Sequence, residues 1–248
     1  MCGEAEAVDM RPVEEWKNGL LKDVLQRYNP CDVFNLDETG ANTDGSEKLK
    51  PLVIGKSPKP RCFKNVKSLS VSLEANSKSW MTSNVWEKTL KEFEKKFHAT
   101  SRKVAFVVDN CTAHTEFYSP LIKESFLSSF KRHYRKHLVR DWIKAIDEGR
   151  EWKLNLLDGI NYIHRSWADV TDKIIKNCLR HAGFVESPSS SEDINDDEVP
   201  LSELLRQLKE RNKDVIDEET YLGIDQNLVT SPELTASEIF QKLSSAVH

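Results

Sequence analysis

Lys103-Val104-Ala105-Phe106-Val107-Val108-Asp109 is the stretch on which the fold turns. Its apolar run is continuous rather than alternating. That suits a strand covered on both faces, as in a parallel sheet flanked by helices. A second short run, Val33-Phe34-Asn35-Leu36-Asp37, also closes on a carboxylate and continues into Glu38-Thr39-Gly40. Leu52-Val53-Ile54-Gly55 reads as another short strand, and residues 69–73 alternate with period two. Between these lie a polar, turn-rich segment, 41–48, and a loop, 56–60.

Helical spacing fills the rest. Val13, Trp16, Leu20, Leu21 and Leu25 give a helix over 12–27 an apolar face, with Pro12 in its first turn and Asn29-Pro30 as the break. Trp86, Leu90, Phe93 and Phe97 share one face of a helix over 84–98, with Ser83 as the expected cap. A long helix over 120–146 carries the stripe Phe126, Phe130, Tyr134, Leu138, Trp142 and Ile146. Further helices are expected over 154–167 and 170–179, with Gly183 as a stop. Strand, strand, helix, strand and then helices argue an α/β domain. Such sheets bind ligands beyond the carboxyl ends of parallel strands, where Asp37 and Asp109 stand.

Charge divides the 248-residue chain. The net charge of −4 averages a segment 186–248 at −10 with a remainder at +6. A basic body on an acidic tail suits a nucleic-acid-associated protein and equally an ordinary solvated surface. Ser187 to Asp193 and Asp196-Asp197-Glu198 read as a disordered linker, followed by two amphipathic patches, 199–208 and 232–243. The expected division is an N-terminal helix segment (1–30), an α/β domain (31–185) and an acidic, partly disordered tail with short amphipathic helices (186–248). Five cysteines without C-x-x-C spacing argue against a disulfide framework or a zinc ribbon. Neither a secretory signal nor a membrane-spanning run is visible, so a cytosolic or nuclear protein is expected.

Two carboxylates at strand ends invite Mg²⁺, which is held by one or two carboxylates with waters and phosphate oxygens. Two-ion phosphoryl transfer needs a bridging carboxylate and a further ligand on each side. Each acid also fits a plain turn, Asp37 with Gly40 and Asp109 with Asn110, and His114 fits an exposed loop. Residues 131–150 carry a balance of +4, with Lys131, Arg132, Arg135, Lys136 and Arg140 as candidate phosphate contacts. The competing reading is an amphipathic helix with its charges in water. Tyr134 and Trp142 fall on the apolar stripe and are expected in the core, not as base-stacking platforms.

Asp37-Glu38-Thr39-Gly40 after an apolar strand, then Val107-Val108-Asp109-Asn110-Cys111-Thr112-Ala113-His114, resembles the first two acidic motifs of the Tigger and pogo transposases. The likeness continues in Leu49 to Ser57, Trp80-Met81-Thr82, Ser129 to Lys136, Arg180 to Phe184 and the tail run from Tyr221 to Ile239. It implies a degenerate RNase H-like domain with added C-terminal helices. It also implies Asp37 and Asp109 as the first and second catalytic acids, and Mg²⁺ as the ancestral cofactor.

Three departures temper the expected activity. The family's centromere-protein-B-like helix-turn-helix region would precede Pro12, so the main sequence-specific DNA reader is expected to be absent. A few dozen residues usually separate Asp-Glu-Thr-Gly from Leu-Lys-Pro-Leu-Val-Ile-Gly; only Ala41 to Lys48 do here, so a strand is expected to be missing. The family's third acid stands in a Gln-Pro-Met-Asp-Gln-Gly run before Ser-Phe-Lys. Here Lys123 takes that place, followed by Glu124. A lysine competes with Mg²⁺ instead of binding it. Glu124 replaces the acid only if the helix turns by about 100°.

The expectation is therefore a nuclear, non-catalytic protein with weak, non-specific DNA association, a protein partner for the acidic tail, and neither a membrane nor a small-molecule substrate. The rival readings are a residual Mg-dependent endonuclease using Asp37, Asp109 and Glu124, a protein-interaction module without DNA binding, and a chain whose gaps prevent stable folding.

Overall fold

A computed structural model describes residues 17–36, 40–108, 123–181, 199–212 and 221. The first described element is a π turn, Lys17–Leu21, that runs into α1, Lys22–Arg27. It stops at Tyr28, whose backbone is extended ahead of Asn29-Pro30. A 3₁₀ turn, Pro30–Asp32, leads into β1, Val33–Leu36, and β2, Gly40–Asn42. β3, Leu52–Gly55, a 3₁₀ turn at Arg61–Phe63 and β4, Ser72–Ala75, follow. Then come α2, Ser83–Ala99, and β5, Ala105–Val107. The helices α3, Lys123–Asp147, α4, Leu156–Asp169, α5, Asp172–His181, and α6, Leu201–Arg211, complete the described chain.

The architecture is mixed α/β, as the apolar runs imply. One sheet has the order β2-β1-β5, and β3 and β4 form a separate parallel pair. β1 runs antiparallel to β2 and parallel to β5, with Val33 opposite Ala105, Phe34 opposite Phe106 and Asn35 opposite Val107. Pleating sends alternate side chains to opposite faces. Val33, Ala41 and Val107 pack with Leu21, Trp167, Val170 and the α5 residues Ile174, Ile175, Cys178 and Leu179. Phe34, Leu36 and Val108 pack on the other face against Met81 and the α2 residues Val85, Trp86 and Phe97. Phe34 is fully buried and tilts against Phe97 at 5.3 Å between ring centroids. Burying such a side chain contributes about 1.5–3 kcal/mol.

Several elements differ from the sequence expectation. β2 lies in a stretch read as loop. It is polar, but Asn42 is fully buried and satisfied: its Nδ2 donates to the Cys31 carbonyl at 3.1 Å, and its Oδ1 accepts from the Glu47 amide at 2.9 Å. The turn after it needs Gly45, whose φ is +74° and whose added Cβ would stand 2.8 Å from the Asp172 carbonyl oxygen. β4 begins at Ser72, three residues later than the period-two run, because its register is set by pairing with Leu52–Gly55. β5 is covered less than expected, with Ala105 and Phe106 half-buried, since among the described residues it pairs only with β1. Thr82, not Ser83, caps α2: Thr82 keeps extended backbone and its hydroxyl accepts from the Val85 amide at 3.4 Å.

The long helix α3 shows the largest difference. Phe130, Tyr134, Leu138, Trp142 and Ile146 are only half-buried, and the side chain of Phe126 lies outside the described residues. Among the described side chains of α3 the buried ones are Ser129, His133, Lys136, His137, Val139, Ile143 and Ala145. The reason is that α3 is gripped on two flanks. Phe130 and Tyr134 meet Trp167 and Tyr162 edge-on along α4, while Val139 and Ile143 pack on Leu204, Leu205 and Leu208 of α6. α6 overlaps the amphipathic patch expected over 199–208, and it is packed on the body through α3. The linker 187–198, the patch 232–243 and Gly183 lie outside the described residues.

Candidate nucleic-acid interface and acidic site

The two strands expected to present acids are neighbours. β1 and β5 run parallel, so the ends that lead toward Asp37 and Asp109 lie at the same edge of the sheet. Asp37, Glu38, Asp109, Asn110 and His114 themselves lie outside the described residues. Lys123 and Glu124 are the first two residues of α3, and their side chains are likewise outside the description. Among the described residues no group of three or more His, Cys, Asp or Glu is placed to hold a metal ion.

The basic helix is described in full from Ser129 on. Lys131 and Arg132 are exposed, and Arg135 and Arg140 are half-buried. Lys136 is only 2% exposed, which takes it off the open face expected for it. Its position follows from the grip on two flanks: residue 136 lies one helical turn below His133 and one above Val139–Arg140, on the inward side. All five cations are engaged by neighbouring groups, and the Arg135 guanidinium lies 5.8 Å from the ring centre of Tyr221. His133 and His137 are buried too, at 6% and 9% exposure, and His137 Nε2 meets Asp169 Oδ2 at 2.5 Å. Tyr134 and Trp142 are in aromatic contacts rather than open to bases: Tyr134 with Tyr162, and Trp142 stacked on Trp152 at 4.9 Å. Burial pushes the Tyr134 phenol up, and burial together with a hydrogen bond to Asp141 does the same for Tyr162.

Two structural anchors were not singled out in the sequence. Lys48 reaches the C-terminal end of α4, where its ammonium donates to the carbonyls of Trp167 at 2.8 Å, Ala168 at 3.1 Å and Val170 at 2.9 Å. Burial pulls its pKa down against the attraction of Asp172 and Asp169. The indole of Trp167 returns a bond to the Leu49 carbonyl at 2.9 Å. Arg102 ties three segments together, donating to Asp32 at 2.9 Å, Glu47 at 2.7 Å and the Cys31 carbonyl at 2.9 Å. Also passed over was the loop after β3. Its signal was available, since seven Lys or Arg and no Asp or Glu stand between Glu47 and Glu74.

The chain matches the family described as DDE superfamily endonuclease over residues 39–125 and 116–179. It is similar to Tigger transposable element-derived protein 4 of Mus musculus, with 28% identity over 92% of this chain and 55% of the relative. Major centromere autoantigen B of Homo sapiens is 30% identical over 61% of the chain and 28% of its own length. ARS-binding protein 1 of Schizosaccharomyces pombe is 26% identical over 80% and 44%. The chain thus spans about half or less of these relatives. The first alignment runs over 280 positions yet takes in 92% of this 248-residue chain, so about fifty aligned positions have no residue here. No solved structure matches the chain significantly.

Proposed function

Because the chain belongs to the DDE superfamily endonucleases, we propose that it is a transposon-derived nuclear protein that associates weakly with DNA and has no transposase or nuclease activity. The observation that carries this reading is the start of α3. The two family matches overlap at residues 116–125, and within that stretch the helix opens with Lys123-Glu124, which we read as standing where the family's third acid would be. An ammonium group in that place repels the ion that a carboxylate would bind.

The domain, taken as residues 31–185, is read as a degenerate RNase H-like unit with the tail helix α6 docked on it. Support for the first two acids comes from the register. β1 and β5 run parallel, with Val33 opposite Ala105 and Asn35 opposite Val107, so the two strands lead toward their acids at the same end of the sheet. A pair of carboxylates suits one weakly held Mg²⁺. It does not suit the two-ion arrangement of phosphoryl transfer, so no catalytic step follows from it. Lys131 and Arg132, exposed near the start of α3, with Arg135 and Arg140 beside them, supply phosphate contacts that carry no sequence information. Relatives whose names record a centromere antigen and ARS binding point the same way.

The test is a mobility shift with generic duplex DNA at increasing salt. Retention at low salt that falls steeply as salt rises is expected. A chain that retains no DNA even at low salt would leave only the protein-interaction reading.

A further inference from the structure

The segment between β3 and β4 holds charge that the reading above does not use. Lys56, Lys59, Arg61, Lys64 and Lys67 follow one another at intervals of two or three residues. The backbone holds the loop in shape. The Phe63 amide donates to the Pro60 carbonyl at 3.0 Å, the Lys64 amide to Arg61 at 3.2 Å and the Val66 amide to Phe63 at 3.0 Å. Asn65, at φ +69°, reverses the chain in the left-handed conformation that asparagine tolerates. Pro58 and Pro60 restrict the loop further, and the Arg61–Phe63 turn rests against α4.

On this frame Lys59, Arg61, Lys64 and Lys67 are exposed. Together with Lys50 and Phe63 they line a groove of about 990 Å³, and no acidic residue lines it among the described residues. Lys50 is fixed by a bond from its ammonium to the Leu69 carbonyl at 2.8 Å. Among the described residues the five loop cations form no ion pairs, whereas every cation nominated on α3 is already engaged. Like charges gathered without counter-charges raise the energy of the free protein and are relieved by a polyanion. Cations interleaved with an aromatic side chain are the combination used for sequence-tolerant nucleic-acid binding, the charges on phosphates and the ring on a base or sugar.

We infer that this groove binds the phosphate backbone of nucleic acid, with Lys59, Arg61, Lys64 and Lys67 as the phosphate contacts and Phe63 as the stacking surface. The inference rests on the DNA-association reading and moves its main contact from α3 to the loop.

The experiment is fluorescence anisotropy of the full chain with labelled single-stranded and duplex oligonucleotides across a salt series. Three proteins are compared: wild type, a loop variant (Lys59→Gln, Arg61→Gln, Lys64→Gln, Lys67→Gln) and a helix variant (Lys131→Gln, Arg132→Gln). The loop variant is expected to bind at least about ten-fold more weakly at about 50 mM salt, and its log–log salt slope to be shallower by about three. The helix variant, which removes two secondary phosphate contacts, is expected to lose less affinity than the loop variant, its slope falling by less than about two. A charge-preserving variant (Lys59→Arg, Arg61→Lys, Lys64→Arg, Lys67→Arg) is expected to keep its affinity. The pair Lys64→Gln, Lys67→Gln carries the same test at half the shift if the fourfold variant melts early. A stronger loss with duplex or with single strand identifies the preferred form. Wild-type binding by the loop variant, or loss in the charge-preserving one, overturns the inference and leaves DNA association standing. A wild-type chain that binds heparin but neither oligonucleotide overturns both.

Discussion

Replacing Arg102 by Ala removes the group that joins the approach to β1, the turn after β2 and the end of α2. Its guanidinium meets Asp32 and Glu47, whose side chains are 20% and 28% exposed, while its own is 32% exposed. Pairs this open contribute about 0.5–1 kcal/mol each after solvent screening. The bond to the Cys31 carbonyl, from a charged donor, adds about 1.5 kcal/mol. The guanidinium also lies over the Phe97 ring at 5.3 Å and the Phe34 ring at 5.9 Å, worth about 0.5–1 kcal/mol. Because these contacts share one side chain they do not add fully, and the loss is expected at about 2–3 kcal/mol. Urea unfolding followed by circular dichroism measures it as a shift in midpoint at unchanged slope. Arg102→Lys is expected to recover less than half, since an ammonium cannot span in one plane the three acceptors that lie on two other segments. A loss below about 0.5 kcal/mol, or full recovery by lysine, would refute the claim that this side chain joins the three segments.

Further outcomes follow from the same geometry. Burial pushes the Glu47 carboxyl up, but hydrogen bonds from Lys96 and Arg102 outweigh it and leave its pKa below the ordinary 4.5. A lowered folded-state pKa gives stability that is full above the unfolded value and is lost as pH falls through the folded one. Acid unfolding curves of Lys96→Ala and Arg102→Ala are thus expected to be flatter than wild type below pH 4.5, and parallel curves would count against the pair. Lys48→Met keeps the apolar stem but leaves three carbonyls at the end of α4 without their donor, at a cost of about 2 kcal/mol in thermal or urea melts. Leu208, fully buried between α6 and α3, is expected to cost about 2–4 kcal/mol when cut to Ala. Limited proteolysis should then cleave within 199–212 first; an unchanged digestion pattern would argue that α6 is not held by that side chain.

How far the sequence reached can be seen residue by residue. Val33–Leu36 and the run ending at Val107 were legible as strands because their apolar character has one explanation, burial within a sheet. β2 was not, since Gly40, Ala41 and Asn42 carry no strand signal; what holds them is the partner strand and the satisfied amide of Asn42. The α3 stripe was legible as a helix but not as a set of buried residues. A helix packed on two flanks buries a wider arc than one stripe, and that arc takes in Lys136 and His137. α6 was legible as an amphipathic helix in the acidic tail, but its docking was not, because its partner, Val139 and Ile143, lies far away in sequence. At the candidate site, the parallel strands that lead toward the two acids were legible, while Asp37 and Asp109 themselves lie outside the described residues. The loop cations stand in an irregular segment that carries no periodic signal, and only its lack of acids marks it in the sequence.

The central claim is that two carboxylates and a lysine cannot organise phosphoryl transfer. Incubating supercoiled plasmid with the purified chain and Mg²⁺ or Mn²⁺, beside Asp37→Ala and Glu124→Gln, tests it most directly. All three proteins are expected to leave the plasmid supercoiled to the same extent as buffer. Nicking by the wild-type chain that either substitution abolishes would contradict the account.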